Sequence, residues 1–132
     1  METKYKLGIQ SQWYNNEKTL IYTEIGEPWN WEDAQDNLVT ILEMAQSVPH
    51  SLGLMIILPA DLSIPPTGFA QATRQAMNAH DEAEFHTVIY VINNPALQTL
   101  WEESITTLAS DVSRYHIVES VEEALEIFAS RS

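Results

Sequence analysis

The sequence predicts an α/β fold with the element order β-β-α-β-α-β-α-β-α, in which four helices accompany a mixed, mostly parallel five-stranded sheet. Two apolar runs, residues 54–58 (LMIIL) and 87–92 (TVIYVI), do not alternate with polar residues, which is typical of strands covered on both faces. Apolar residues at helical spacing follow each run, and such β-α units imply parallel strands joined by right-handed crossovers. The chain of 132 residues is expected to form one domain over residues 1–132.

The first two strands are predicted to form an antiparallel hairpin. Apolar side chains near the start of the chain have mostly polar neighbours, as in a strand with one face in solvent: Tyr5, Leu7, Ile9 and Trp13. Residues 14–18 (YNNEK) favour a turn, and residues 19–25 (TLIYTEI) are rich in β-forming types. A connection this short joins antiparallel strands.

The first helix is predicted to begin after Asn30, a favourable N-cap, with Glu32 and Asp33 adding negative charge to its first turn. Trp29 and Trp31 flank this cap. Large aromatic rings at such a place either line a pocket or a partner surface, or hold the start of the helix against the sheet.

The loop after residues 54–58 is the expected functional region. Ligands and partners of parallel sheets are met just beyond the carboxyl ends of the strands, and this places Asp61, Ser63 and Thr67 where function is expected. Formation of turns and helix caps accounts for the same residue types, so that alternative stays open.

The second helix is predicted to have Pro65 or Pro66 in its first turn and an apolar stripe that runs through His80. Residues 80–86 (HDEAEFH) are interpreted as a polar connection to the next strand. Their imidazoles and carboxylates match no defined ligand spacing, so we predict no metal site and no cofactor.

The last elements have clear local signals. The third helix is predicted to begin at Pro95 with Asn94 as its cap. Residues 115–118 (YHIV) form a short final strand, and Ser120 and Glu123 have the spacing of a capping box at the start of the fourth helix.

Composition excludes several classes of function. The net charge is −13, from 19 acidic and 6 basic residues, so nucleic acids and anionic membranes are repelled. The absence of cysteine excludes disulfides, thiol catalysis and cysteine-ligated metals. The sequence has no apolar run of transmembrane length and no signal peptide, so we expect a cytoplasmic protein. It also has no phosphate-binding glycine loop and no nucleophile elbow, and we expect no enzymatic activity.

The order and length of the elements between residues 5 and 129 resemble the STAS family, the domains of anti-sigma-factor antagonists and of sulfate-transporter tails. Residues 115–128 (YHIVESVEEALEIF) are similar to the last strand and helix of that family. The chain also resembles a bacterial subgroup of STAS-like proteins related in fold to lipid-binding SEC14-type domains.

The resemblance implies a phosphorylation switch at the start of the second helix, where the family has an Asp-Ser-Ser-Gly motif. Here Thr67 and Gly68 match its last two positions, whereas Pro65 and Pro66 replace the aspartate and the serine that is usually modified. Thr67 or Ser63 would then be the phosphate acceptor near a helix N-terminus.

Three functions stay open, and the last of them, an enzyme of unknown type, rests only on carboxylates and histidines such as those of residues 80–86. The first is a non-enzymatic protein-interaction module, with homodimer formation undecided, whose surface includes Asp61, Ser63, Thr67 and Gly68. The second is a binding protein for a lipid or another small apolar molecule, in which the tryptophan side chains Trp29, Trp31 and Trp101 are candidates to meet the ligand.

Overall fold

The computed structural model describes residues 8–64 and 67–131, so Tyr5, Leu7, Pro65 and Pro66 lie outside the described residues. Within these ranges the strands and helices follow the predicted order. They are β1 (Gly8–Trp13), β2 (Leu20–Gly26), α1 (Trp31–Gln46), β3 (Gly53–Ile57), α2 (Phe69–Ala83), β4 (Thr87–Val91), α3 (Pro95–Leu108), β5 (Tyr115–Val118) and α4 (Val121–Arg131).

The five strands form one sheet in the order β1-β2-β3-β4-β5. β1 and β2 pair antiparallel, with Trp13 opposite Ile21, and each later strand pairs parallel with the one before it. In the parallel part, Leu54 lies beside Val88. The predicted fold class, a mixed and mostly parallel sheet with four helices, is confirmed.

Helices cover both faces of the sheet, which explains why β3 and β4 are apolar without alternation. On what we call the three-helix face, buried side chains of α1, α2 and α3 join one core with alternate residues of the strands. On the one-helix face, α4 forms a second, smaller core with the residues in between. Leu54 therefore belongs to the first core and Met55 to the second.

Two helix starts are capped as the sequence predicts. The side chain of Asn30 accepts the N–H of Asp33 at 2.8 Å, and the Asp33 carboxylate accepts the N–H of Asn30 at 3.0 Å, which completes a capping box. Asn94 accepts the N–H groups of Ala96 and Leu97 at 2.9 and 3.2 Å. These caps fix the directions in which α1 and α3 leave the carboxyl edge of the sheet.

The second helix, α2, begins at Phe69 behind the N-cap Gly68. The prediction that Pro65 or Pro66 lies in its first turn concerns residues outside the described ranges. Gly68 has a φ of +90°, and a Cβ there would lie 3.1 Å from the indole ring of Trp31. Glycine suits this position because it tolerates positive φ and has no side chain to collide with the ring.

The prediction that residues 80–86 form a polar connection was wrong in its first half. α2 continues to Ala83, and His80 is only 1% exposed. His80 lies one turn after Met77, on the same side of the helix, and Met77 also faces the core. A hydrogen bond to the hydroxyl of Tyr115 allows the imidazole to be buried there.

The capping box of the last helix is also modified. The N–H of Glu123 donates to the Ser120 hydroxyl at 3.2 Å, as predicted. The Glu123 carboxylate, however, accepts from the N–H of Glu119 at 2.9 Å and not from that of Ser120. The carboxylate therefore satisfies a donor one residue before the predicted cap.

Candidate functional site

A cavity of about 100 Å³ lies between the three-helix face of the sheet and helices α1 and α2. Its wall is almost entirely apolar, and it is partly open to solvent. Short side chains leave this space, because Ala34 of α1 and Ala72 and Ala76 of α2 line it where longer ones would fill it. Ile25 and Ile56 supply part of the opposite wall from β2 and β3.

Four aromatic rings form a continuous line along this cavity, and we call them the aromatic rim: Trp29, Trp31, Phe69 and Trp101. The centroids of Trp29 and Trp31 are 4.9 Å apart in an edge-to-face arrangement, and those of Phe69 and Trp101 are 5.3 Å apart in the same geometry. Edge-to-face pairs of this kind contribute stabilisation in addition to that from burying the apolar area of the rings. The rim is therefore a preformed surface.

Two hydrogen bonds join the loop before α1 to the loop before α2. The indole N–H of Trp31 donates to the backbone carbonyl of Thr67, and the N–H of Ser63 donates to the Glu27 carboxylate at 2.9 Å. With the close approach of Gly68 to the Trp31 ring, these contacts hold both loops together at the carboxyl edge of the sheet. The structure thus brings together Trp31, Thr67 and Gly68, which the sequence singled out separately.

The polar candidates of the loop after β3 point away from this packing. Asp61, Ser63 and Thr67 are exposed. Within the described part of the chain their side chains make no hydrogen bond, because Ser63 and Thr67 take part only through backbone groups. α2 has no side-chain cap. Asp61 lies in a turn in which the N–H of Leu62 donates to the carbonyl of Pro59 at 3.2 Å, so the alternative of turn formation fits this residue.

Trp29 has an unusual polar atom. Its ring lines the cavity and is partly buried, and its Nε1 is fully buried with no hydrogen-bond partner among the described residues. A buried donor that is left unpaired costs about 1–3 kcal/mol. Such an atom is uncommon in a native structure and needs an explanation.

The wall contains two ionisable side chains, His80 and Tyr90, and both are neutral at pH 7. Burial, helped by the nearby Arg114 and opposed by Asp81, lowers the pKa of His80 from 6.5 to about 3. Its Nδ1 lies 2.9 Å from the hydroxyl of Tyr115. Burial also raises the pKa of the Tyr90 hydroxyl well above its usual value. A ligand in the cavity would thus meet no charged side chain in its wall.

A small polar network closes the β1 side of the cavity. The Ser11 hydroxyl donates its single proton to the Asn37 side-chain oxygen. The Thr23 hydroxyl, 2.7 Å from Ser11, must therefore donate to Ser11. Sequence reasoning missed Thr23, although a polar residue between Ile21 and Ile25 on the inward face of a predicted strand was a usable signal.

Two other features were sought among the described residues: a metal site and a membrane-spanning helix. Among residues 8–64 and 67–131 there is no group of three His, Asp or Glu side chains that could hold a metal ion. Within the same ranges no helix has both the length and the apolar character needed to cross a membrane.

Comparisons of the chain with protein-family models, curated proteins and solved structures found no significant match.

Proposed function

We propose that this protein binds a small apolar molecule in the cavity behind the aromatic rim. The observation that carries the proposal is a preformed apolar cavity between the sheet and the helices α1 and α2. Trp29 and Trp31 of its rim lie next to the carboxyl edge of the mostly parallel sheet, the edge at which such folds bind ligands. The ring faces of the rim would contact the ligand, and removal of its apolar surface from water would supply the binding energy.

The size of the cavity limits the ligand. Pockets for drug-sized molecules measure roughly 300–1,000 Å³, whereas an engineered apolar cavity of about 150 Å³ holds benzene or xenon. At about 100 Å³, with one side partly open, this cavity suits a molecule with about one ring. The proposed ligand is therefore smaller than the lipid that a SEC14-like relation implies.

Tryptophan fluorescence tests this proposal directly, because Trp29, Trp31 and Trp101 line the cavity. We expect benzene and toluene to change the emission saturably and to raise the melting temperature, since a ligand that binds only the folded state stabilises it. The matched control is Ala76→Met, which fills the cavity and should abolish both effects. A response that is absent in the original protein, or equal in the two proteins, would argue against the cavity as a binding site.

We propose as a second candidate a STAS-like interaction module that meets its partner through Asp61, Ser63 and Thr67. Their exposure, and the lack of side-chain hydrogen bonds to other described residues, favour this role. Thr67 also precedes the N-cap of α2, where the helix dipole favours a phosphate group. The element order supports the STAS-like interpretation.

Native mass spectrometry of protein purified from its own host separates the two candidates. It reports subunit number, covalent phosphate and retained ligand in one spectrum. Phosphate that disappears in Thr67→Ala or Ser63→Ala would support the switch, and retained ligand mass would support the cavity. If neither variant alters phosphorylation or partner capture, the interaction surface is not at this loop.

The remaining expectations belong to the same proposal. We propose that the protein is cytoplasmic, acts without enzymatic chemistry and does not bind nucleic acid. The net charge of −13 supports the last point, because polyanions are repelled. A homodimer is compatible with either candidate and would appear as a doubled mass in the same spectrum.

A further inference from the structure

We propose that the ligand of this cavity is a neutral molecule with about one ring that carries a hydrogen-bond acceptor, and that the indole N–H of Trp29 donates to that acceptor. This inference rests on the proposed function, because it describes the ligand of the same cavity. It adds a recognition contact to a site whose other contacts are apolar.

Three hydrogen-bond donors beside the cavity already have acceptors. The Thr23 hydroxyl donates to Ser11, and the Thr73 hydroxyl donates to the backbone carbonyl of Phe69 at 2.7 Å. The indole N–H of Trp31 donates to Thr67. These donors already have acceptors, whereas Trp29 Nε1 is buried and has none among the described residues.

The Trp29 ring lies at the end of the loop before α1, on the rim and not in the deep core, with exposed neighbours Pro28 and Asn30. It packs edge-to-face on Trp31 as part of the aromatic rim that lines the cavity. A ligand acceptor beside Nε1 would satisfy the donor, so the unpaired N–H favours ligands that carry such a group.

The charges around the cavity also restrict the ligand. The wall offers a cation no carboxylate, and it offers an anion no basic side chain, because His80 is neutral at pH 7. A charged ligand would lose its hydration without gaining a partner. The net charge of −13 adds a further barrier against anions. A neutral acceptor, such as a ring nitrogen or a carbonyl, avoids both losses.

The test compares benzene with pyridine, which match in size and differ in one acceptor nitrogen. Both are titrated at pH 8, where pyridine is uncharged, and dissociation constants are taken from backbone amide shifts in nuclear magnetic resonance spectra. The variant Trp29→Phe keeps an aromatic ring and removes the N–H. The matched control is Trp13→Phe, the same substitution at a tryptophan of β1 that does not line the cavity.

We expect Trp29→Phe to raise the ratio of the pyridine to the benzene dissociation constant by about tenfold, which corresponds to one net hydrogen bond. Trp13→Phe should leave that ratio unchanged. In the original protein, pyridine should also shift the indole N–H resonance of Trp29 downfield while benzene does not. This measurement uses the original protein alone, so it still tests the proposal if Trp29→Phe fails to fold.

The outcomes separate the two proposals. If the original protein binds benzene but Trp29→Phe leaves the ratio unchanged and pyridine leaves the indole resonance in place, the acceptor inference is wrong and the cavity proposal stands. If the original protein binds neither probe, both proposals are wrong.

Discussion

The two faces of the sheet differ in where they leave space beside the strands. On the one-helix face, a Cβ added to Gly53 would lie only 2.7 and 2.9 Å from Cε1 and Cδ1 of Phe128, so the helix α4 touches the backbone of β3. On the three-helix face, a cavity of about 100 Å³ separates β2 and β3 from α1 and α2. On the one-helix face, the open space is a groove of about 240 Å³ beside this contact, lined by Leu20, Leu125 and Phe128. On the three-helix face, the space lies between the strands and the helices that cover them.

The gap beneath α1 and α2 is the proposed binding site. Protein interiors are normally packed to the density of organic crystals, and a void forfeits dispersion contacts. The helix α4 is in close contact with the sheet at Gly53 and Ala124. The helices α1 and α2 leave a gap over β2 and β3, although three helices cover that face. This gap, lined by the aromatic rim, is the basis of the proposal that a ligand binds there.

The largest expected effect is a pH dependence of the free energy of unfolding, which arises from a buried side chain on the three-helix face. The folded protein keeps His80 neutral down to about pH 3, whereas the unfolded chain binds a proton near pH 6.5. The contribution of neutral, buried His80 to stability is therefore fully present above pH 6.5 and is lost as the pH falls toward 3. We expect the free energy of unfolding to fall by about 3 kcal/mol between pH 7 and pH 4 because of this group.

Urea denaturation at a series of pH values measures this effect. The control is His80→Gln, which keeps a hydrogen-bonding side chain for Tyr115 but does not titrate. Carboxylates contribute equally to both proteins, so the difference between their pH profiles isolates His80. Parallel profiles would mean that His80 is not held neutral by burial.

The next effect tests the close contact between α4 and β3. Gly53→Ala should destabilise the protein by about 1–3 kcal/mol, because the new methyl group collides with the Phe128 ring. The φ of Gly53 is not in the left-handed region, so backbone strain does not contribute. In a Phe128→Leu background the same substitution should cost less. An equal cost in both backgrounds would show that Phe128 is not the obstacle.

The smallest expected effect is that of filling the void. Ala76→Met should change the free energy of unfolding by less than about 0.5 kcal/mol, because a flexible side chain enters empty space. Its matched control is Ala124→Met on the one-helix face, where the alanine is 0% exposed and overpacking should cost about 1–3 kcal/mol. Equal costs for the two substitutions would remove the distinction between the faces.

The sequence alone determined the order of the elements, the parallel sheet and most helix starts. These features depend on local signals, because a cap such as Asn30 or Asn94 acts on N–H groups two or three residues away. The apolar runs of β3 and β4 likewise revealed that both faces are covered. The loop after β3 was also placed correctly at the carboxyl edge of the sheet.

Only the tertiary structure decided which side chains build the candidate site. The contact between Trp31 and Thr67 joins residues 36 positions apart, and that between His80 and Tyr115 joins residues 35 apart. Periodicity gives the face of a helix but not the gap to its neighbour, so the cavity beside Ala72 and Ala76 could not be derived from it. A void is the absence of a contact between distant segments, and no local pattern encodes it.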